Sequence, residues 1–182
     1  MHSLEDIKRI AVVGNAGSGK STVGRKLHQL LHLPLYHLEQ YFWKAGWVHP
    51  DRDAYKIIHH ELCDRNEWMI EGINVSLWDH RMSQAQAIVI LKIPCLLCMW
   101  RIIKRTILYY AAETPASPPG CHERISPEFF KFLKWMWDFE AKYNAKGTEL
   151  IEQYGATKQI YVLHLQKEID AFIRNVSDET VS

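Results

Sequence analysis

The stretch "GNAGSGKS", Gly14 to Ser21, decides how the rest of the chain is read. A glycine, four residues, then glycine, lysine and serine is the spacing of a phosphate-binding loop. The chemistry needs those residue types. Glycines let backbone N–H groups wrap an anion, the Lys20 ammonium reaches the outer phosphates, and the Ser21 hydroxyl can ligate Mg²⁺. Before the loop runs "IKRIAVV", with Ile7, Ile10, Val12 and Val13. After it comes "TVGRKLHQLLH", in which Val23, Leu27, Leu30 and Leu31 recur at helical spacing. The loop therefore belongs at a strand-to-helix junction, where unpaired N–H groups and the helix dipole favour negative charge. Gly14, Asn15, Ala16, Gly17, Ser18, Gly19, Lys20, Ser21 and Thr22 form the candidate set for a nucleotide triphosphate.

Working outward, five strand candidates alternate with helical patterns, which predicts a three-layer α/β fold around a parallel sheet. The strands are expected at Ile7–Val13, Leu35–Leu38, Trp68–Glu71, Ala87–Ile93 and Gln159–Leu165. Helices are expected near Lys20–His32, Asp53–Asn66, Pro94–Ala112, Pro127–Tyr154 and Gln166–Arg174. No repeat or long linker divides residues 1–174, which read as one domain, and "NVSDETVS", 175–182, reads as a polar tail. One segment, "ETPASPPGCHERIS", Glu113 to Ser126, holds three prolines and a glycine and cannot continue a helix. Lying between two helices, it is a lid candidate, and Ser126-Pro127 reads as the N-cap and first residue of the helix that follows.

Composition narrows the function. Of 182 residues, 47% are hydrophobic, enough for one substantial core. Lys plus Arg number 22 against 21 Asp plus Glu, a net charge of +1, so no bulk field draws the chain to nucleic acid or membrane. The N-terminus "MHSLEDIKRI" lacks the pattern of a secretory signal, and the longest apolar stretch, Ala87 to Trp100, is interrupted by Lys92 and Pro94. The expectation is a soluble cytoplasmic protein. Cys95 and Cys98 sit in the apolar run "IPCLLCMW" and, with Cys63 and Cys121, read as small packed hydrophobes in preference to a zinc site.

A nucleotide loop alone does not distinguish an enzyme from a regulator, so the remaining polar groups have to decide. Glu39 ends "LPLYHLE" and Glu71 ends "WMIEG"; in an open parallel sheet both would project where ligands gather, beyond the carboxyl ends of the strands. Glu71 is the candidate acid for Mg²⁺ beside Ser21, since the next strand carries Lys92 in place of an acid, and Glu39 is the candidate to meet an acceptor hydroxyl, as base or hydrogen-bond acceptor. Arg101, Lys104 and Arg105 share one helix face just ahead of the lid, where arginines would meet the charge of a transferring phosphoryl group. Arg124 lies in the lid candidate and could close onto phosphate from above. Arg52 and Arg81 are read as loop arginines that could hold an anionic acceptor, though such residues are commonly just solvated. The aromatics of "YFWKAGW", Tyr41 to Trp47, are placed to wall an acceptor pocket, whereas Phe129, Leu133, Met136 and Phe132, Trp135, Phe139 repeat at helical spacing and read as core. His28 and His32 share a helix face without a third ligand and read as structural or surface residues.

With these elements assembled, the sequence resembles small P-loop kinases of the nucleoside-monophosphate-kinase type, in particular bacterial adenylate-kinase-like proteins labelled DNA topology modulation proteins. "IAVVGNAGSGKST", "LPLYHLEQYFWKAGW", "WMIEGINVSLWDHRM", "IVILKIP", "WRIIKR" and "FLKWMWDF" carry it, in that order. The resemblance implies ATP and Mg²⁺ as cofactors, a small-molecule phosphate acceptor as partner, and a five-stranded sheet of order 2-3-1-4-5. It gives Lys20 the transferred phosphoryl group, sets Arg101 near the adenine and gives Arg105 a phosphate contact. Members usually show aspartate where this chain has Glu39, and "DGN" in place of Glu71-Gly72-Ile73-Asn74. The pattern Asp-Gly-Phe-Pro-Arg of adenylate kinases is absent after Glu71, so AMP as acceptor is not implied. Two functions follow as expectations: a kinase acting on a nucleotide or nucleoside, or a nucleotide-binding regulator tied to DNA topology that binds ATP and affects a protein or DNA partner without a small acceptor; the near-neutral charge leads to no expectation of direct nucleic-acid binding.

Overall fold

All five expected strands form, and they pair in parallel in the order β2-β3-β1-β4-β5. The computed structural model describes residues 4–49, 51–114 and 117–180; Pro115 and Ala116 of the expected lid and Val181 and Ser182 of the expected tail lie outside the described residues. The strands are β1 (Arg9–Gly14), β2 (Leu35–His37), β3 (Trp68–Glu71), β4 (Ala87–Leu91) and β5 (Gln159–Leu163). Seven α-helices accompany them among the described residues: α1 (Lys20–Leu31), α2 (Leu38–Phe42), α3 (Arg52–Cys63), α4 (Trp78–Gln84), α5 (Cys95–Leu108), α6 (Pro127–Tyr154) and α7 (Gln166–Glu179).

β1, β3 and β4 are buried almost throughout, as a parallel sheet covered on both faces requires. Alternation along each strand divides the interior in two. Ile10, Val12, Val89 and Leu91 enter the core shared with α1, α5 and α7, while Ala11, Val13, Ile88 and Ile90 enter the one closed by α3, α4 and the C-terminal half of α6. Strand register brings Val12 level with Glu71, and Glu71 level with His37, so the ends of β1, β2 and β3 lie side by side.

Helix ends follow local chemistry. Asp51 caps α3 by accepting from the N–H groups of Asp53 and Ala54, and Ser126 caps α6 ahead of Pro127, as its sequence predicts. Helix α7 runs past Arg174 to Glu179, because Ile169, Phe172 and Val176 continue one buried stripe into the stretch expected as a tail. The short helices α2 and α4 have no counterpart among the expected elements. In α6, Leu133 and Met136 are buried as expected. Phe132 and Phe139 pack, partly buried, against the two cores, while Trp135, stacked between them at 5.8 and 4.7 Å, is 41% exposed. With 28 residues, α6 is about 42 Å long, more than twice the length of a five-residue strand, and the sheet cannot cover all of it. Among the described residues no helix is long and apolar enough to cross a membrane.

Candidate functional site

The loop after β1 closes tightly. Gly17 and Gly19 hold φ of +74° and +101°, a region glycine enters freely, and a Cβ at Gly17 would collide with the Cys98 carbonyl oxygen of α5. Ser18 N–H turns back to the Asn15 carbonyl at 3.1 Å. No backbone carbonyl among the described residues accepts from the N–H groups of Gly17, Gly19, Lys20 or Ser21. Those donors, at the start of α1, are what a phosphate chain would take up. Not every residue of the candidate set faces a ligand. Asn15 turns its side chain inward, donating to the Met136 carbonyl at 3.4 Å and accepting from Ala16 N–H at 2.8 Å, and so ties the loop to α6. Thr22 is exposed.

Lys20 is buried, and its Nζ donates to the Asn15 carbonyl at 3.1 Å and lies 3.9 Å from Glu39 Oε1. Ser21 Oγ donates to Glu71 Oε1 at 2.9 Å, and His37 Nδ1 lies 2.5 Å from the same oxygen. The other carboxylate oxygen, Oε2, is buried and has no partner. Burial pushes the Glu71 carboxyl up, but the His37 hydrogen bond, the Lys20 charge and the Ser21 hydroxyl together outweigh it and hold the group below the usual carboxylate range. An ionised, buried carboxylate with one oxygen free, bonded to a loop serine, fits a Mg²⁺ site whose protein ligand is Ser21 and whose waters meet Glu71. His37 carries no motif; only strand register brings it here.

On the opposite side of the loop, Arg101 Nη1 donates to the Ser18 carbonyl at 3.3 Å and its Nη2 to Gln166 Oε1 at 2.9 Å. Arg105 is held elsewhere. Its Nη2 lies 2.8 Å from Glu123 Oε1, and Thr106 Oγ1 donates to Glu123 Oε2, also at 2.8 Å, so Glu123, the buried glutamate of the segment expected as a lid, which carried no sequence signal, anchors to α5. Lys104 and Arg124 are exposed, and neither makes an ion pair with the loop. Arg52 opens α3 and is exposed, whereas Arg81, expected in a loop, is a fully buried residue of α4. Its Nη2 donates to the Gly72 carbonyl at 3.2 Å, while Nε and Nη1 have no partner.

The segment after α2 leans on the segment expected as a lid. Gly46 N–H donates to the Gly120 carbonyl at 2.9 Å, Trp47 Nε1 to the His122 carbonyl at 3.0 Å, and the Cys121 thiol to the Lys44 carbonyl at 3.3 Å. Within the segment, Phe42 packs edge-on against Trp43 and Tyr55, both at 5.0 Å, and Trp43 lies 4.5 Å from His49. The four cysteines are free and buried, and burial raises the Cys98 thiol to about 11 and the Cys63 thiol to about 12. Thiols so disfavoured as thiolates behave as packing groups. His28 caps its turn, its Nδ1 lying 2.7 Å from the Leu33 carbonyl.

No protein-family model matches the chain, and no curated protein does. Solved structures do. A shikimate kinase from Bacteroides thetaiotaomicron is 16% identical with a TM-score of 0.54, over 97% of this chain and 99% of that one. A shikimate kinase from Acinetobacter baumannii, in complex with shikimate, is 14% identical with a TM-score of 0.56, over 98% and 95%. A gluconokinase from Sinorhizobium meliloti is 14% identical with a TM-score of 0.53, over 96% and 91%. The DNA-topology label draws no support from them. At such identities the likeness is one of fold, and together with the glycine loop and the 2-3-1-4-5 sheet it shows that this chain has the fold of the P-loop kinases.

Proposed function

We propose that the protein is a kinase that transfers the γ-phosphoryl group of Mg·ATP to a hydroxyl of a small acceptor, a nucleotide or a nucleoside. The observation that carries this reading is the convergence of Lys20, Ser21, Glu71 and Glu39 at the adjoining ends of β1, β2 and β3, with Glu39 Oε1 only 3.9 Å from Lys20 Nζ. A nucleotide switch needs the first three. A carboxylate beside the phosphate-binding lysine is what an acceptor hydroxyl needs.

In the reaction the acceptor oxygen forms a bond to the γ-phosphorus as the bond from that phosphorus to the bridging oxygen breaks. ADP leaves with the electron pair, and the hydroxyl proton passes to the Glu39 carboxylate. Lys20 and the loop N–H groups hold the outer phosphates, and Arg101, bonded to the Ser18 carbonyl, sets a further positive charge at the loop. Ser21, with Glu71 behind it, would hold Mg²⁺, which when bound would supply charge neutralisation at the phosphates. Arg105 reaches a phosphate only by leaving Glu123, so its part in phosphate binding is tied to movement of the lid. Phe42, Trp43 and Trp47, beyond Glu39 and against the lid, offer flat apolar faces for a base. Arg124 would have to swing inward with the lid to act.

The test is incubation with ATP and Mg²⁺ against nucleoside monophosphates, nucleosides and small phosphorylated metabolites, following ADP release and identifying products by mass spectrometry, with Lys20→Met as control. Acceptor-dependent ADP release that the variant lacks is expected. Binding of ATP with no response to any acceptor would overturn the reading in favour of a nucleotide-dependent regulator.

A further inference from the structure

We infer that His37 is the positioning residue that sets Glu71 for Mg²⁺; this rests on the Mg·ATP reading above. β2 and β3 end level with one another, with His37 and Glu71 as paired positions of the parallel ladder. Residues level on neighbouring strands send their side chains to the same face of the sheet. His37 Nδ1 accordingly reaches Glu71 Oε1 at 2.5 Å, and the imidazole is itself largely covered, its side chain 13% exposed.

The distribution of donors gives this contact its meaning. Ser21 Oγ–H and His37 Nδ1–H both fall on Oε1, and Oε2 is left buried without a donor. Of the two donors, Ser21 sits on the loop that a nucleotide would engage, and its hydroxyl oxygen has a metal to ligate. His37 stands on the sheet and has no second task. It is the fixed donor that holds the carboxylate's rotation while the loop serine exchanges partners. Removing it leaves a buried carboxylate held by one mobile hydroxyl, free to rotate or to take up a proton. Groups of this kind, one bond behind the atoms that meet a metal, commonly alter metal affinity by about 10–100-fold when removed.

A purely architectural histidine, pinning a three-residue edge strand to its neighbour, would instead weaken the whole nucleotide site. The experiment separates the two by titrating Mn²⁺ into the ADP-bound protein, with free Mn²⁺ read by electron paramagnetic resonance, and by measuring ADP affinity in EDTA alongside. His37→Phe keeps a ring and loses the donor; His37→Asn keeps a donor near the Nδ1 position. His37→Leu serves if the phenylalanine does not fold. The expected result is a Mn²⁺ dissociation constant raised roughly 10–100-fold in His37→Phe, recovered most of the way by His37→Asn, with metal-free ADP affinity unchanged. Unaltered Mn²⁺ affinity, or an equal loss of metal-free and metal-bound nucleotide, would overturn the assignment. No acceptor enters the measurement. A protein that binds Mn²⁺·ADP in a His37-dependent way yet phosphorylates nothing would keep this inference and sink the kinase reading, and a wild-type chain that binds no Mn²⁺·ADP would sink both.

Discussion

Two glycines of this chain have almost the same φ and different surroundings, and alanine at each isolates what the phosphate-binding loop demands. Gly17 holds φ of +74° and Gly46 +76°. A Cβ at Gly46 meets nothing within 4 Å, whereas at Gly17 it collides with the Cys98 carbonyl oxygen and comes to 3.0 Å from both the Cys98 carbonyl carbon and Ile102 Cγ1. The obstacle is helical backbone in α5, which no rotamer change can remove. Gly46→Ala therefore bears only the left-handed strain of an L-residue, about 1–2 kcal/mol. Gly17→Ala adds an overpacking penalty of about 1–3 kcal/mol.

Urea unfolding of the two variants reads the difference directly, and thermal midpoints should separate by roughly 2–4 °C for each kcal/mol in a chain of this size. Relief of the clash also pushes α5 from the loop. Arg101 rides on α5 and bonds the Ser18 carbonyl at 3.3 Å, so Gly17→Ala should weaken ATP binding while Gly46→Ala leaves it near wild type. Equal destabilisation by the two alanines would refute the claim that the loop is seated against α5.

Three further outcomes are expected. Burial, with the charges of Arg81, His60 and His80, depresses the pKa of His59 from 6.5 to about 3. Between those values the unfolded chain binds a proton that the folded one does not, so stability is lost as pH falls below 6.5, by at most about 1.4 kcal/mol per pH unit; His59→Gln should flatten the urea midpoint between pH 6.5 and 5, and parallel profiles would refute this. Arg81, buried with two of its nitrogens unpartnered, should tolerate methionine within about 1–2 kcal/mol, because the orphaned Gly72 carbonyl is offset by release of a desolvated charge. Arg81→Ala, which opens a cavity, should cost about 3–5 kcal/mol by comparison, and equal losses in thermal unfolding would show that the guanidinium itself stabilises the fold. Glu123→Gln removes the partner of Arg105 and should speed tryptic cleavage after the exposed Arg124 several-fold; an unchanged rate would mean that the Glu123 contacts do not hold the lid.

Strand positions were legible in the sequence because β1, β3 and β4 are short apolar runs buried on both faces, with the partly buried β2 and β5 at the sheet's edges, and the loop because its glycines obey a spacing that phosphate imposes. Helix ends were legible where a cap names them, as at Ser126-Pro127. The same logic explains what was missed. α4 spans seven residues, too few for a period to emerge, and it begins on a buried tryptophan without a side-chain cap. An arginine in such a stretch reads as a solvated loop residue, although Arg81 is wholly buried. The polar composition of "NVSDETVS" concealed the apolar position Val176, which carries α7 onward to Glu179 because it falls four residues after Phe172.

Within the site the division is between residues whose role depends on neighbours along the chain and residues whose role depends on register. Lys20 and Ser21 belong to the first kind, since the loop that orients them is local. Glu71 is intermediate: a strand end predicts where it points but not what it meets; Glu39, expected at the end of a strand, stands in the first turn of α2. His37 and Glu123 are wholly of the second kind. His37 matters because β2 and β3 end level, and a shift of one residue in that ladder would send it to the other face. Glu123 matters because the chain after Glu113 returns beside Ala111 and Ala112, whose backbone groups bond those of Glu123 at 2.8 Å, and so lays its carboxylate against Arg105. That contact alters the reading of Arg105 itself. From the helix face alone it is a phosphate-binding cation; in the fold it already has an anion, and a phosphate must displace Glu123 to claim it. On the proposed kinase reading the residue is a point of competition between Glu123 and the nucleotide, a property that no spacing within α5 could have revealed.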